Sequence, residues 1–250
     1  MKTVLAMDRG NRTLKAALFE DGKIGRRWTL QATDHLSEIA PILDACSPHG
    51  VVFSSVVPQW SRVAHQEFAG RRMGGVLEVG AGITLPFELL VAKPELLGPD
   101  RLCAACGAVS MEVYEAVIVD AGTAVTIDIL SRDGFCGGSI FPGVDLLLDA
   151  LHTGTAVLPP VAAEADPPQP PGRETRSAIL SGVYWGLVGA VRELVTRSYS
   201  SLGADARVLI TGGAAEFVAR HLGLEATVVP DLVMSGLYYC FRLNVSDSPP

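Results

Sequence analysis

Two short runs carry most of the chemistry available to this sequence. Asp8-Arg9-Gly10-Asn11 and Asp120-Ala121-Gly122-Thr123 each place a carboxylate at the end of an apolar stretch, with a glycine two positions on. A glycine there lets backbone N–H groups approach phosphate oxygens with no β-carbon in the way, which forms an anion-binding concavity. The hydroxyls of Thr13, Thr123 and Thr126 add donors. Phosphoryl transfer needs positioning and charge neutralisation more than covalent chemistry. The parts are a metal-holding carboxylate, a phosphate-binding cation and a base for the accepting hydroxyl. Asp8 can hold magnesium through water, Lys15 can return to a phosphate, and Asp120 can hold a cation on the opposite wall. The base is harder to single out. Gly98-Pro99-Asp100-Arg101 precedes an apolar run, where Asp100 reads equally as a helix N-cap and Arg101 as a surface charge.

A lone D-x-G is ordinary turn chemistry, so the elements around these runs decide its weight. Residues 3–7 read as a strand, followed by the turn at 8–11, an alternating strand at 14–19 and a turn at Asp21-Gly22. Residues 116–119, 120–123, 125–130 and Asp133-Gly134 repeat that order, and the spacing between first and turn aspartate is 13 in both copies. Each hairpin leads into a third strand candidate (23–30, 135–141) and an amphipathic segment (34–45, 145–151). Each half then reaches an apolar strand ending in small residues (51–58, 207–214). The second half also holds an insertion: a loop at 158–172 with six prolines, which resist regular structure, and a strongly helical stretch at 176–199. No G-x-G-x-x-G opens a helix after a strand and no G-x-x-x-x-G-K-[ST] occurs, which disfavours Rossmann and P-loop folds.

At 250 residues, with 48% hydrophobic and 19% charged residues, the chain can bury a sizeable core and suits two domains. The expected division is 1–112 and 113–250, the latter ending in a short disordered tail. A net charge of -7 leaves no basic stripe to neutralise phosphodiesters, so nucleic acid is a poor partner. Apolar runs fall far short of a membrane span, and the amino terminus meets Asp8 too early for a secretory signal, which predicts a cytoplasmic protein away from membranes. The five cysteines are scattered, against a disulfide framework. Cys103 and Cys106 form a C-x-x-C inside a small-residue segment that reads as a buried helix, with no second pair at zinc spacing. The histidines show no H-x-x-x-H or H-E-x-x-H spacing.

The β-β-β-α-β order with glycine at the strand ends resembles the duplicated half of the actin and sugar-kinase superfamily. That likeness implies an α/β, duplicated actin-like (ribonuclease H-like) fold with two similar domains and a nucleotide cleft between them. More narrowly, the chain resembles the type III pantothenate kinases. Asp8-Arg9-Gly10-Asn11-Arg12-Thr13-Leu14-Lys15 is similar to their D-x-G-N-T-x-x-K phosphate loop, and Phe53-Ser54-Ser55-Val56-Val57-Pro58 to their S-S-V-x-P strand. Gly98-Pro99-Asp100-Arg101 resembles their G-x-D-R motif, and Asp120-Ala121-Gly122-Thr123-Ala124-Val125-Thr126 their D-x-G-T-x-x-T motif. Gly137-Gly138-Ser139-Ile140-Phe141-Pro142-Gly143 and Thr211-Gly212-Gly213 also fit.

The resemblance implies ATP-dependent phosphorylation of pantothenate, the first step of coenzyme A synthesis, with magnesium. Asp100 would be the base taking the proton from the pantothenate hydroxyl. Gly98, Pro99, Asp100 and Arg101 would contact that substrate, with Arg101 meeting its carboxylate. The loop Asp8, Arg9, Gly10, Asn11, Arg12, Thr13, Leu14 and Lys15 would hold ATP, as would Thr123. Asp120 would hold a potassium or ammonium ion, and Thr175 would contact pantothenate across a homodimer interface, where the helix bearing Gly182, Gly186 and Gly189 packs closely.

Three positions depart from the family pattern. Arg12 stands where the threonine after Gly-Asn is usual, Arg9 where an apolar residue is usual, and Glu174 where asparagine usually precedes the substrate threonine. An arginine in the loop can bind phosphate bidentately or crowd the nucleotide. Crowding would suit a catalytically weak member that acts as a regulatory or binding protein. A kinase for another small hydroxylated substrate is a further alternative.

Overall fold

The structure, a computed structural model, describes residues 3–32, 39–71, 73–80, 82–199, 202–203 and 205–245. Among the described residues, ten strands form two five-stranded sheets of one design. In the first, β1 (Thr3–Arg9), β2 (Thr13–Glu20), β3 (Lys23–Gln31), β4 (Gly50–Ser55) and β5 (Val76–Glu78) lie in the order β3-β2-β1-β4-β5. In the second, β6 (Ala116–Ala121), β7 (Ala124–Ser131), β8 (Gly134–Pro142), β9 (Arg207–Thr211) and β10 (Thr227–Val228) lie in the order β10-β9-β6-β7-β8. β1 and β6 are therefore equivalent, each antiparallel to the next strand and parallel to the fourth. The duplication expected from the paired D-x-G hairpins is present strand for strand.

The helices are α1 (Ala40–Cys46), α2 (Pro58–Ala69), α3 (Pro99–Ser110), α4 (Val144–Thr153), α5 (Thr175–Tyr199), α6 (Ala215–Leu222) and α7 (Leu232–Asn244). Proline opens α2 and α3 at the first turn, where its missing N–H costs nothing and its fixed φ suits the helix. The amphipathic segment expected at 34–45 is described only from Ile39 onward, where it forms α1, and the tail after 245 lies outside the described residues.

The chain divides into two compact units. The first spans Met1–Val113, Asp133–Phe135 and Asp231–Pro250, the second Tyr114–Arg132 and Cys136–Pro230. Residues from 231 onward thus return to the first unit. Glycines explain the return. A β-carbon on Gly236 of α7 would lie 1.7 Å from the carbonyl oxygen of Cys103, and one on Gly107 of α3 would lie 2.2 Å from that of Leu232. Two helices touching backbone to backbone need small residues on both sides, and α3 and α7 supply them.

Strand alternation sorts the first unit into two cores. Leu5 and Met7 of β1 face Ile42, Leu43, Trp60 and Phe68 of α1 and α2. Val4 and Ala6 face Leu102, Cys103, Leu237 and Cys240 of α3 and α7. Burying each leucine-sized side chain stabilises by ~1.5–3 kcal/mol. In the second unit Val117, Val119 and Ala121 pack against Leu187, Val191 and Val195 of α5 and Val218 and Leu222 of α6. By length and composition α5 is apolar enough to cross a membrane, with a mean hydropathy of 1.3, yet 50% of that window is buried inside the protein. It serves here as a core helix, and the proline-rich loop is pinned along it. Tyr184 Oη donates to the carbonyl of Glu164, and Trp185 Nε1 to that of Pro168.

Candidate active site

The alternation that sorts the core also aims the charged residues. Asp8 continues the Val4–Ala6 face of β1 toward α3, whereas Arg9 follows Leu5 and Met7 to the opposite face. Arg9 is accordingly 3% exposed and its guanidinium donates to the carbonyl of Gly10, bracing the loop from within. Lys15 on β2 and Ser54 on β4 stand level with Asp8, one on each side. The first sheet thus ends in a row of cation, carboxylate and hydroxyl. Ser54 Oγ donates to Asp8 Oδ1 at 2.8 Å.

Burial pushes the Asp8 carboxyl up to about 6, the Ser54 hydrogen bond opposes that rise, the charge of Asp100 adds to it, and Lys15 lowers it. Asp100, in the first turn of the helix that packs on this face of β1, is near enough for its charge to add to that rise. Gly10 N donates to Thr13 O at 3.0 Å, closing the turn between β1 and β2. A β-carbon on Gly10 would meet only Thr13 O at 3.5 Å, an ordinary contact. Asn11, Arg12 and Lys15 are exposed around this glycine, Thr13 is partly so, and Leu14 points into the core as an anchor.

Asp100 is not the N-cap of α3. Gly98 holds that position, Pro99 follows, and Asp100 sits in the first turn with Oδ1 accepting from the N–H of Arg101 at 2.9 Å. Helix α3 therefore starts three residues earlier than the apolar run from Leu102 suggests, because proline fits the first helical position. Arg101 lies over the ring of Phe135, 5.7 Å from its centroid. Phe135 is held by Leu89 and Glu88: its N–H donates to Glu88 O at 2.8 Å and its carbonyl accepts from Leu90 N at 2.9 Å.

In the second unit, Asp120 stands level with Thr126 and Thr211, so its row reads hydroxyl, carboxylate, hydroxyl. A β-carbon on Gly212 (φ +95) would lie 2.5 Å from Asp120 Oδ1, and one on Gly143 would lie 2.2 Å from Gly122 O. Gly143 N donates to Thr123 O at 2.9 Å, seating the start of α4 against the loop. A carboxylate level with two threonines is an oxygen donor set suited to a hard cation. On the first row, Asp8 is likewise a hard oxygen donor, level with the charge of Lys15, a pairing that fits magnesium bound with a nucleotide. Thr175, at the start of α5, lines an apolar cavity of about 760 Å³ with Leu151, Gly182, Val183 and Gly186.

The C-x-x-C cysteines pack between α3 and α7. Burial pushes the Cys103 thiol well up, and a hydrogen bond with Cys240, then burial, does the same for Cys106. Protonated buried thiols are poor nucleophiles and poor ligands. Among the described residues no group of three His, Cys, Asp or Glu could hold a metal ion. Ser54 and Thr211 lie in motifs whose spacing gives them no role; the level positions of β1 with β4 and of β6 with β9 place them beside Asp8 and Asp120, and pairing across such sequence distances is not visible in spacing.

The sequence profile of the family described as type III pantothenate kinase matches residues 4–197. A type III pantothenate kinase of Dehalococcoides mccartyi strain CBDB1 is 33% identical over 253 residues, covering 96% of each chain. Among solved structures, a candidate 2-dehydro-3-deoxygalactonokinase of Sinorhizobium meliloti superposes with a TM-score of 0.62 at 16% identity, covering 97% of this chain and 98% of that one. A candidate Baf family transcriptional activator of Campylobacter jejuni gives 0.59 at 20% identity, covering 95% and 97%. These two carry the fold alone, a duplicated actin-like one. The family profile and the near full-length relative carry more: this chain belongs to the type III pantothenate kinase family.

Proposed function

We propose that this protein transfers the γ-phosphoryl group of ATP to the primary hydroxyl of pantothenate, giving 4'-phosphopantothenate and ADP, in the cytoplasm. What supports the reading is membership of the type III pantothenate kinase family together with the row of Lys15, Asp8 and Ser54 that ends the first sheet. A base at the tip of one helix and a cation–carboxylate pair at a strand end are what phosphoryl transfer requires. Asp100 takes the proton as the hydroxyl oxygen bonds to the γ-phosphorus. The bond from that phosphorus to the β–γ bridging oxygen breaks, and ADP leaves with the electron pair.

Lys15 offsets charge on the phosphate oxygens, and the backbone from Gly10 to Thr13, with the exposed side chains of Asn11 and Arg12, contacts the nucleotide. Thr123 adds a further ATP contact. Magnesium, held through Asp8, would supply charge neutralisation on the phosphates. Asp120 would hold potassium or ammonium, and its hydroxyl neighbours Thr126 and Thr211 suit that role. Arg101 binds the pantothenate carboxylate, with Gly98 and Pro99 shaping the approach. Thr175 completes the pantothenate site in a homodimer formed through the exposed glycine-bearing face of α5. Coupled ADP release with pantothenate, ATP, magnesium and potassium tests the reading, and no pantothenate-dependent release would overturn it.

A further inference from the structure

Ser54 stands among these groups without a role in the reading so far. It is fully buried, on the face of β4 that carries Val52 and packs against α3. Apolar neighbours there would suit alanine or valine, and a hydroxyl is worth burying only for the bond it makes. Its bond is the one to Oδ1 of Asp8 at 2.8 Å. A serine hydroxyl has one proton to donate, and here Asp8 receives it. Cys103, three residues after Asp100 and so on the same face of α3, lies within reach of the same hydroxyl.

We infer that Ser54 is a positioning residue for phosphoryl transfer: by engaging Oδ1 it fixes the rotation of the Asp8 carboxylate, so that Oδ2 is the oxygen presented to the metal–nucleotide complex. The inference rests on the reading of Asp8 as the metal-holding group of a kinase. The terminal torsion of an aspartate is broad, so a carboxylate without such a bond samples many rotations. Lys15, level with Asp8 on the other side, then draws either oxygen. In the second sheet the equivalent strand position is a threonine: Thr211 is level with Asp120, though its hydroxyl donates to the carbonyl of Pro230 at 3.4 Å. A β-branched hydroxyl residue therefore fits this strand position.

The test compares wild type, Ser54→Ala and Ser54→Thr by two readouts. Calorimetry measures affinity for Mn²⁺ with ATP in the absence of pantothenate, and steady-state kinetics measures turnover as magnesium is varied. Removing a bond that orients a metal-holding group costs about 10- to 100-fold in metal affinity or activity. Ser54→Ala is expected to weaken binding of the Mn²⁺–ATP complex about tenfold, raise the half-saturating magnesium concentration and lower kcat about 10- to 100-fold. KM for pantothenate should stay within about twofold, and Ser54→Thr should recover most of the loss. If the alanine variant does not fold, Ser54→Cys keeps the volume with a weaker donor and should lose about three- to tenfold. Unchanged Mn²⁺–ATP affinity and metal dependence in a folded alanine or cysteine variant, whatever its melting temperature, overturns the inference. A wild-type protein that binds Mn²⁺–ATP but leaves pantothenate untouched refutes the functional reading instead, and the calorimetric comparison still decides on Ser54.

Discussion

A β-carbon placed on Gly98 would lie 2.5 Å from Oδ1 of Asp100 and 3.7 Å from Cδ of Arg101, so the carboxylate takes its place only because position 98 has no side chain. The glycine is not there for its backbone. Its φ of -57 is open to any residue, and no side chain caps α3.

Gly98→Ala should therefore fold with a melting temperature close to wild type while forcing the Asp100 carboxylate to swing aside. Displacing a catalytic group by about 1 Å can cost on the order of 100-fold, so kcat should fall about 10- to 100-fold. Kinetics alongside thermal melting checks this. Wild-type turnover in the folded variant would show that the observed placement of Asp100 does not matter.

Asp8 gives a prediction of opposite sign for stability. Its carboxyl rises from 3.8 to about 6 in the folded chain. The native state thus binds more protons than the unfolded state across that window, and stability falls as pH rises through it. Above about pH 6 the ionised Asp8 leaves the folded protein weaker. Asp8→Asn should stabilise the nucleotide-free protein there by about 1–3 kcal/mol, with the gain vanishing below about pH 4. Denaturant titrations of both proteins at pH 4 and pH 8 measure it. A variant less stable than wild type at pH 8 would contradict it.

Much of this was legible in one dimension. The two D-x-G hairpins with matched spacing prefigure the equivalent strand triplets β1–β3 and β6–β8, because turn chemistry and alternation are local. The burial of Arg9 also follows from parity, since it shares a face with Leu5 and Met7, yet its position in a phosphate loop draws it toward the ligand in a motif reading. The return of α7 to the first unit was not legible. It depends on Gly107 and Gly236 meeting across more than a hundred residues, and a glycine in a helix looks the same whether or not a neighbour fills the space it leaves. The Ser54–Asp8 bond is hidden for the same reason: parallel register between β1 and β4 is a long-range choice.

The α5 face makes a prediction about assembly. A β-carbon on Gly182, Gly186 or Gly189 would meet nothing within 4 Å, so a larger side chain there fits the single chain and disturbs only what lies beyond it. Wild type should sediment as a dimer. Gly186→Glu, which also favours helix by about 0.5–1 kcal/mol, should sediment as a monomer and raise KM for pantothenate, since Thr175 lines the same cavity. An active wild-type monomer at assay concentrations would refute the shared interface.

The central claim, that Asp100 is the base of a pantothenate kinase, is met most directly by product analysis of wild type and Asp100→Asn side by side. Mass spectrometry follows 4'-phosphopantothenate while ADP release is recorded in the same reaction, with ATP, magnesium and potassium present. Wild type should form one phosphopantothenate per ADP. The asparagine variant keeps the shape but cannot take the proton, and should bind ATP normally while turning over about 10²- to 10⁴-fold more slowly. No phosphopantothenate from wild type, or near-normal turnover from Asp100→Asn, is the result that contradicts the account.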